Sequence, residues 1–158
     1  MHLAMQYLDF AAGADTVSAQ VEAMAAKRLL TAQQAEAVDC GAVERFLDTP
    51  LCDRIRRSER VFREQRFNLL VDGTILGADG AGEEIMLQGV VDCAFVERGK
   101  LVIVDFKTDR VTVETMQGRA EHYRSQLEAY ALALGRVLDL PVAEKVLYFF
   151  HTNSAINL

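Results

Sequence analysis

The sequence predicts an α/β fold in which helices cover both faces of a sheet, and three observations predict it. The front third is alanine-rich with apolar residues at helical spacing. The middle holds β-rich apolar runs broken by turn signals. The last third returns to helical spacing and then ends on one more apolar run. With 158 residues, 51% of them hydrophobic, the chain is long enough for one well-buried core, so a single domain over 1–158 is expected.

Taken in order, Leu3, Met5, Tyr7, Leu8 and Phe10, interleaved with Gln6 and Asp9, predict the end of a helix running to Gly13. Segments from about Thr16 to Leu29 and from Ala32 to Leu47 predict two amphipathic helices, marked by Val21, Met24, Leu29, Val38, Val43, Phe46 and Leu47. Thr31 stands as an N-cap with Gln34 in capping-box position, and Pro50 either stops the second helix or begins a short third one. The grammar then changes. Val61, Phe62, Phe67, Leu69, Leu70 and Val71 lead into Asp72-Gly73, and Ile85 to Val96 is followed by Arg98-Gly99 and by Leu101 to Phe106. These predict three successive strands. From Arg119 to Leu138 one stripe carries Tyr123, Leu127, Tyr130 and Leu134, a helix closed by Pro141, and Val146 to Phe150 predicts a last strand. A helical region over 1–58 is thus followed by a sheet-and-helix region over 59–158.

Composition excludes several classes. A net charge of −6 argues against a protein that holds nucleic acid through a general positive surface, although it says little about a local groove around a cation. Cys40, Cys52 and Cys93 are odd in number and lack a C-x-x-C pair, so no disulfide framework, zinc site or iron–sulfur cluster is expected, and a reducing cytoplasm suits them. No run approaches the roughly 18 apolar residues of a membrane span, and no signal-peptide pattern opens the chain. Gly73 to Gly82 reads as a hairpin loop. With no G-x-x-x-x-G-K-[ST] anywhere, no ATP site is expected.

The chemistry concentrates in the second and third strands. Glu97-Arg98-Gly99-Lys100 between apolar runs predicts an antiparallel hairpin with a two-residue loop. Carrying the Glu97–Lys100 pairing inward places Asp92 directly opposite Asp105. Opposed Cβ atoms lie about 4.5–5.5 Å apart, where like charges destabilise a sheet unless a cation neutralises them. The period of two puts Lys107 on the same face as Asp105, together with Leu101, Ile103, Val90, Ala94 and Val96, while Val104 and Phe106 point to the other side. Carboxylates suit a hard Mg²⁺ or Mn²⁺, which makes a bound water more acidic, and Lys107 can orient that water or stabilise charge on a phosphate. A lone D-x-K is more often a surface ion pair; the apolar strands and the opposed second aspartate set this one apart.

Three blocks, Gly89-Val90-Val91-Asp92, Val102-Ile103-Val104-Asp105-Phe106-Lys107-Thr108-Asp109 and Ser125-Gln126-Leu127-Glu128-Ala129-Tyr130, together resemble the RecB-like branch of the PD-(D/E)XK nuclease superfamily, and most closely the C-terminal nuclease domain of the AddA family. Arg63-Glu64-Gln65-Arg66-Phe67 resembles the family's R-E-x-x-F block, and Met1-His2 to Phe10 its histidine-bearing helix. The resemblance implies a restriction-endonuclease-like core, a central mixed sheet with the first helical region on one face and the Gln126 helix on the other. It further implies that His2, Asp92 and Asp105 ligate Mg²⁺, for which Mn²⁺ can substitute, with the Phe106 carbonyl as a further ligand. Lys107 is then catalytic, and Gln126 and Tyr130 complete the catalytic set by orienting Lys107 or contacting DNA. By spacing alone Tyr130 is equally a core residue. The implied activity is a Mg²⁺-dependent DNA exonuclease of an ATP-dependent helicase–nuclease in double-strand-break repair and homologous recombination. Its partners would be DNA, helicase domains of the same polypeptide and a second, AddB-like chain, with no membrane.

The family's helix begins several residues before Met1, so the chain is expected to be a fragment of a larger helicase–nuclease. Two other readings stay open at this point: a stand-alone exonuclease of the superfamily, and a non-catalytic DNA-binding module of the same fold. Arg54, Arg56, Arg57, Arg60, Arg63 and Arg66 form a basic cluster that reads first as a solvated helix face and second as a DNA-backbone track. His122, at steps of four from Gln126 and Tyr130, is a surface residue that could approach the DNA path. Glu64 is either a buried partner of an arginine or a neighbour of the metal.

Overall fold

The computed structural model of the chain describes residues 1–76 and 84–158. The expected Gly73–Gly82 loop therefore lies partly outside the described residues; Gly73–Leu76 form a 3₁₀ turn.

The front of the chain folds into short helices, α1 His2–Tyr7, α2 Val17–Ala26, α3 Ala32–Glu36, α4 Cys40–Leu47 and α5 Pro50–Arg57, the last three opened by side-chain caps. Thr31 opens α3 with the predicted capping box, its hydroxyl accepting from Gln34 N–H while the Gln34 side chain accepts from Thr31 N–H. The single helix expected over 32–47 is two, because the Asp39 carboxylate accepts from Ala42 N–H and starts a new helix there. Pro50 begins a third helix, with the Thr49 hydroxyl accepting from Cys52 N–H. The first helix does not run to Gly13. It ends at Tyr7, where Leu8 turns extended and the Arg63 guanidinium takes up the freed carbonyls of Met5, Gln6 and Leu8.

The sheet has the order β1-β2-β3-β4-β5 among the described residues, with β1 Arg60–Asp72, β2 Glu84–Glu97, β3 Lys100–Lys107, β4 Val142–Phe149 and β5 Ser154–Asn157. All pairs are antiparallel except β3/β4, so the sheet is mixed. A parallel pair needs a crossover, which α6 Val113–Glu121 and α7 Arg124–Leu138 provide. The one helix expected over 119–138 is thus two. Thr112 caps an earlier start, and the chain breaks at His122–Tyr123. The short edge strand β5, in which only Ile156 is buried, has no counterpart in the sequence expectation.

The Arg98-Gly99 loop is the predicted two-residue turn, with both residues at positive φ (53° and 70°) as a type I′ turn requires. The register carries from Glu97↔Lys100 to Cys93↔Val104 as predicted. The two faces also fill as expected. Cys93, Phe95, Val102, Val104 and Phe106 pack with α1, α2, α4 and α5, whereas Ala94, Val96, Leu101 and Ile103 pack with Ala133 and Leu134 of α7. One residue departs: it is Val91, not Val90, that joins Ala94 on the α7 face. The reason is a paired irregularity. Glu64 has φ 49°, and the β1/β2 register passes from Arg63↔Cys93 to Gln65↔Val91 without pairing Glu64 to Asp92. Both strands change face at that point, as Phe62 and Phe67 on the α7 side show for β1.

Candidate active site

The irregularity frees Asp92 from the sheet's alternation and turns its carboxylate toward β3. In a regular ladder Phe106 N–H would bond back to β2 near Val91. It donates instead to Asp92 Oδ2, at 2.8 Å. Asp92 and Asp105 therefore lie one step past the last paired residues, side by side across a parting of the strands and not as a ladder pair. Their charges still oppose each other. Burial first, and then the charge of Asp105, push the Asp92 carboxyl up to about 6.

Asp105 is the buried charged residue of the described core, 3% exposed. Burial raises its carboxyl above the ordinary range, with Lys107 opposing. Lys107 Nζ lies 2.6 Å from Asp105 Oδ2, an ion pair off the line of a hydrogen bond, so that oxygen has no hydrogen-bond donor. On the other side, Lys107 Nζ donates to Gln126 Oε1 at 3.2 Å, and Gln126 Nε2 donates to the Tyr130 hydroxyl at 2.6 Å. Helical spacing on α7 sets Gln126 and Tyr130 on one face for this relay. Tyr130 also meets Phe67 edge-on, with ring centroids 5.8 Å apart.

One further residue holds Lys107. Its ammonium sits 3.7 Å above the Tyr123 ring, and the Tyr123 hydroxyl donates to Asp109, which Arg119 also grips. Spacing alone assigns Tyr123 to the core stripe. Its place beside Lys107 depends on the break between α6 and α7, which the stripe does not reveal; the signal that could have found it is Asp109, the last residue of the D-x-K-T-D block.

His2 is half exposed and reaches the same spot from α1. Its Nε2 lies 2.6 Å from the Phe106 carbonyl oxygen and 3.7 Å from Asp92 Oδ2. His2 and Asp92 thus converge on one residue, Phe106, at its two flanking peptide groups, with Asp105 next to it. Among the described residues no group of three His, Cys, Asp or Glu side chains is arranged to enclose an ion. The donors nevertheless fit a hard divalent cation by their chemistry: carboxylate and carbonyl oxygens, one imidazole, and a buried Asp105 oxygen without a hydrogen-bond donor.

The remaining candidates fall elsewhere. His122 caps the end of α6, where Nδ1 meets the Gly118 carbonyl, and is off the Gln126 stripe because the helix breaks beside it. Three members of the basic cluster have structural duties. Arg54 pairs with Glu97 and Glu144, Arg56 with Asp53, and Arg63 with the end of α1. Glu64, half-buried, adds a negative charge near Asp92 and Tyr130.

A mixed sheet with helices on both faces, carrying Asp92, Asp105 and Lys107 where two strands part, defines a nuclease core. The family model of the PD-(D/E)XK nuclease superfamily matches residues 1–156, and the chain belongs to that superfamily. Its relatives include the A subunit of the ATP-dependent helicase/nuclease of Acetivibrio thermocellus, 41% identical over 155 residues that cover 95% of this chain and 12% of that protein. The corresponding subunits of Syntrophomonas wolfei and Geobacillus thermodenitrificans are each 34% identical, over 100% and 95% of this chain and 13% of theirs. The chain spans about an eighth of the length of these relatives. No helix among the described residues is long and apolar enough to cross a membrane.

Proposed function

We propose that the chain is a single nuclease domain, part of a larger cytoplasmic helicase–nuclease, and hydrolyses DNA phosphodiester bonds with Mg²⁺, Mn²⁺ substituting. The observation that carries the reading is Lys107, held between the buried Asp105 and Gln126 at the point where Asp92 leaves the sheet. His2, Asp92, Asp105 and the Phe106 carbonyl would hold the cation. When bound, it would neutralise the paired carboxylates, polarise the phosphodiester and make water more acidic.

The residues of the chain do the rest. Asp105 and Gln126 fix the Lys107 ammonium, so that its remaining donor capacity meets charge growing on the phosphate oxygens without reorganising. Tyr123 holds it from the third side, and Tyr130 keeps Gln126 turned toward Lys107. Motor activity, an AddB-like partner and a role in double-strand-break repair and recombination belong to this reading through the relatives, which are named as ATP-dependent helicase/nuclease subunits.

The test is cleavage of single-stranded and double-stranded DNA with Mg²⁺ or with chelator. Cutting is expected only with the cation, and Asp105→Ala or Lys107→Ala is expected to lower it by at least ~100-fold. Cleavage that survives either substitution overturns the assignment. Calorimetric titration of Mn²⁺ reads the cation site independently, with Asp92→Ala expected to abolish binding.

A further inference from the structure

A cavity of about 530 Å³ opens beside the site, on the face of the sheet that carries α4. Its wall includes Met1 and Thr108, the chain neighbours of His2 and Lys107, so it lies next to the cluster described above. Arg45 of α4, Arg110 after β3 and His151 after β4 line it as well. Arg45, Arg110 and His151 are exposed and make no ion pair or side-chain hydrogen bond among the described residues, unlike Arg54, Arg63 and Arg119. The acidic side chain on the same wall, Asp39, is committed to Ala42 N–H. In a chain of net charge −6, this meeting of two unpaired arginines and an imidazole from three separate segments favours an anion.

We infer that this cavity holds the backbone phosphates of the nucleic-acid strand next to the phosphodiester being cut, a step that rests on the nuclease reading. Guanidinium forks match phosphate oxygens in pairs, and the Thr108 hydroxyl and His151 ring add single donors. Gln126 and Tyr130 flank Lys107 from α7 on the opposite face. A strand crossing the end of β3 passes from that side into the cavity. Contacts of this kind position the backbone and read no base sequence.

The experiment is fluorescence anisotropy of a labelled oligothymidylate with the wild type, Arg45→Glu/Arg110→Glu and Arg45→Gln/Arg110→Gln, in chelator over a salt series. Charge reversal is expected to weaken binding at least ~10-fold. The glutamine pair, on exposed positions that leave the fold intact, is expected to lower the salt slope by ~0.7 for each phosphate no longer neutralised. Unchanged affinity, or weaker affinity with an unchanged slope, overturns the inference while wild-type cleavage leaves the nuclease reading standing. A wild type that neither binds nor cuts DNA overturns that reading and the inference with it.

Discussion

Asp92 sits where its charge costs the fold stability. Because burial and Asp105 raise its carboxyl to about 6, the folded chain holds a proton there more firmly than the unfolded chain does. The stability from this group is present below the ordinary aspartate range near 4 and is lost as pH rises through about 6, on the order of 3 kcal/mol. In chelator, thermal melts of the wild type are therefore expected to fall across that window. Asp92→Asn, whose amide oxygen still accepts from Phe106 N–H, is expected to flatten the profile and raise the melting temperature at neutral pH. Saturating Mg²⁺ should restore the wild type and leave the variant almost unmoved; an equal response of both would remove Asp92 from the cation site. The placing of Asp105 and Lys107 at one end of β3 was legible in sequence, because a two-residue turn and a period of two fix the strand register as far as Cys93; the departure of Asp92 from that register was not. Tyr123 and Asp109 were not, since their contact is made by a helix break that spacing does not encode.

Elements position these side chains through close fits that the motifs record without explaining. A Cβ on Gly89 would lie 2.8 Å from the Phe67 ring and 3.5 Å from Tyr130. The glycine of the G-x-x-D block thus lets an aromatic pair lie close over β2, and that pair braces the helix bearing Gln126. Gly89→Ala is expected to cost about 1–3 kcal/mol in denaturant melts and to reduce cleavage by displacing Tyr130; an unperturbed melt would show that the rings yield freely. Arg63 has the matching duty on the other face, gripping the end of α1 and stacking on Phe10. Arg63→Gln is expected to speed hydrogen exchange of α1 amides while the β3 amides stay protected, and to weaken Mn²⁺ binding through His2. Exchange that rises equally in both elements would make Arg63 a general stabiliser and not a positioning residue. Helices with side-chain caps were readable in outline, as Thr31 and Pro50 show. Their breaks were not, because Asp39 and Tyr123 interrupt apolar patterns that themselves continue. The edge strand β5 was equally hidden, since one buried residue makes no pattern.

At the scale of the whole molecule, the two faces of the sheet were predictable and their linkage was not. Apolar residues at both alternations of β3 require cover on both sides, which the helical front and α7 supply. The joint between helical region and sheet is aromatic. Phe46 of α4 meets Phe10, Phe106, Tyr148 and Phe150, with ring centroids 4.8–6.0 Å apart. Phe106 is also the residue whose two peptide groups hold Asp92 and His2, so the packing centre and the site share one backbone segment. If the chain is a single domain, Phe46→Ala is expected to cost about 3–5 kcal/mol. At ~2–4 °C for each kcal/mol, the melting temperature should fall by roughly 6–20 °C. The fall should register with one midpoint in far-ultraviolet circular dichroism and in the near-ultraviolet signal of the tyrosines. Two separated midpoints, with residues 1–58 melting before the sheet, would instead divide the chain at the Phe46 joint.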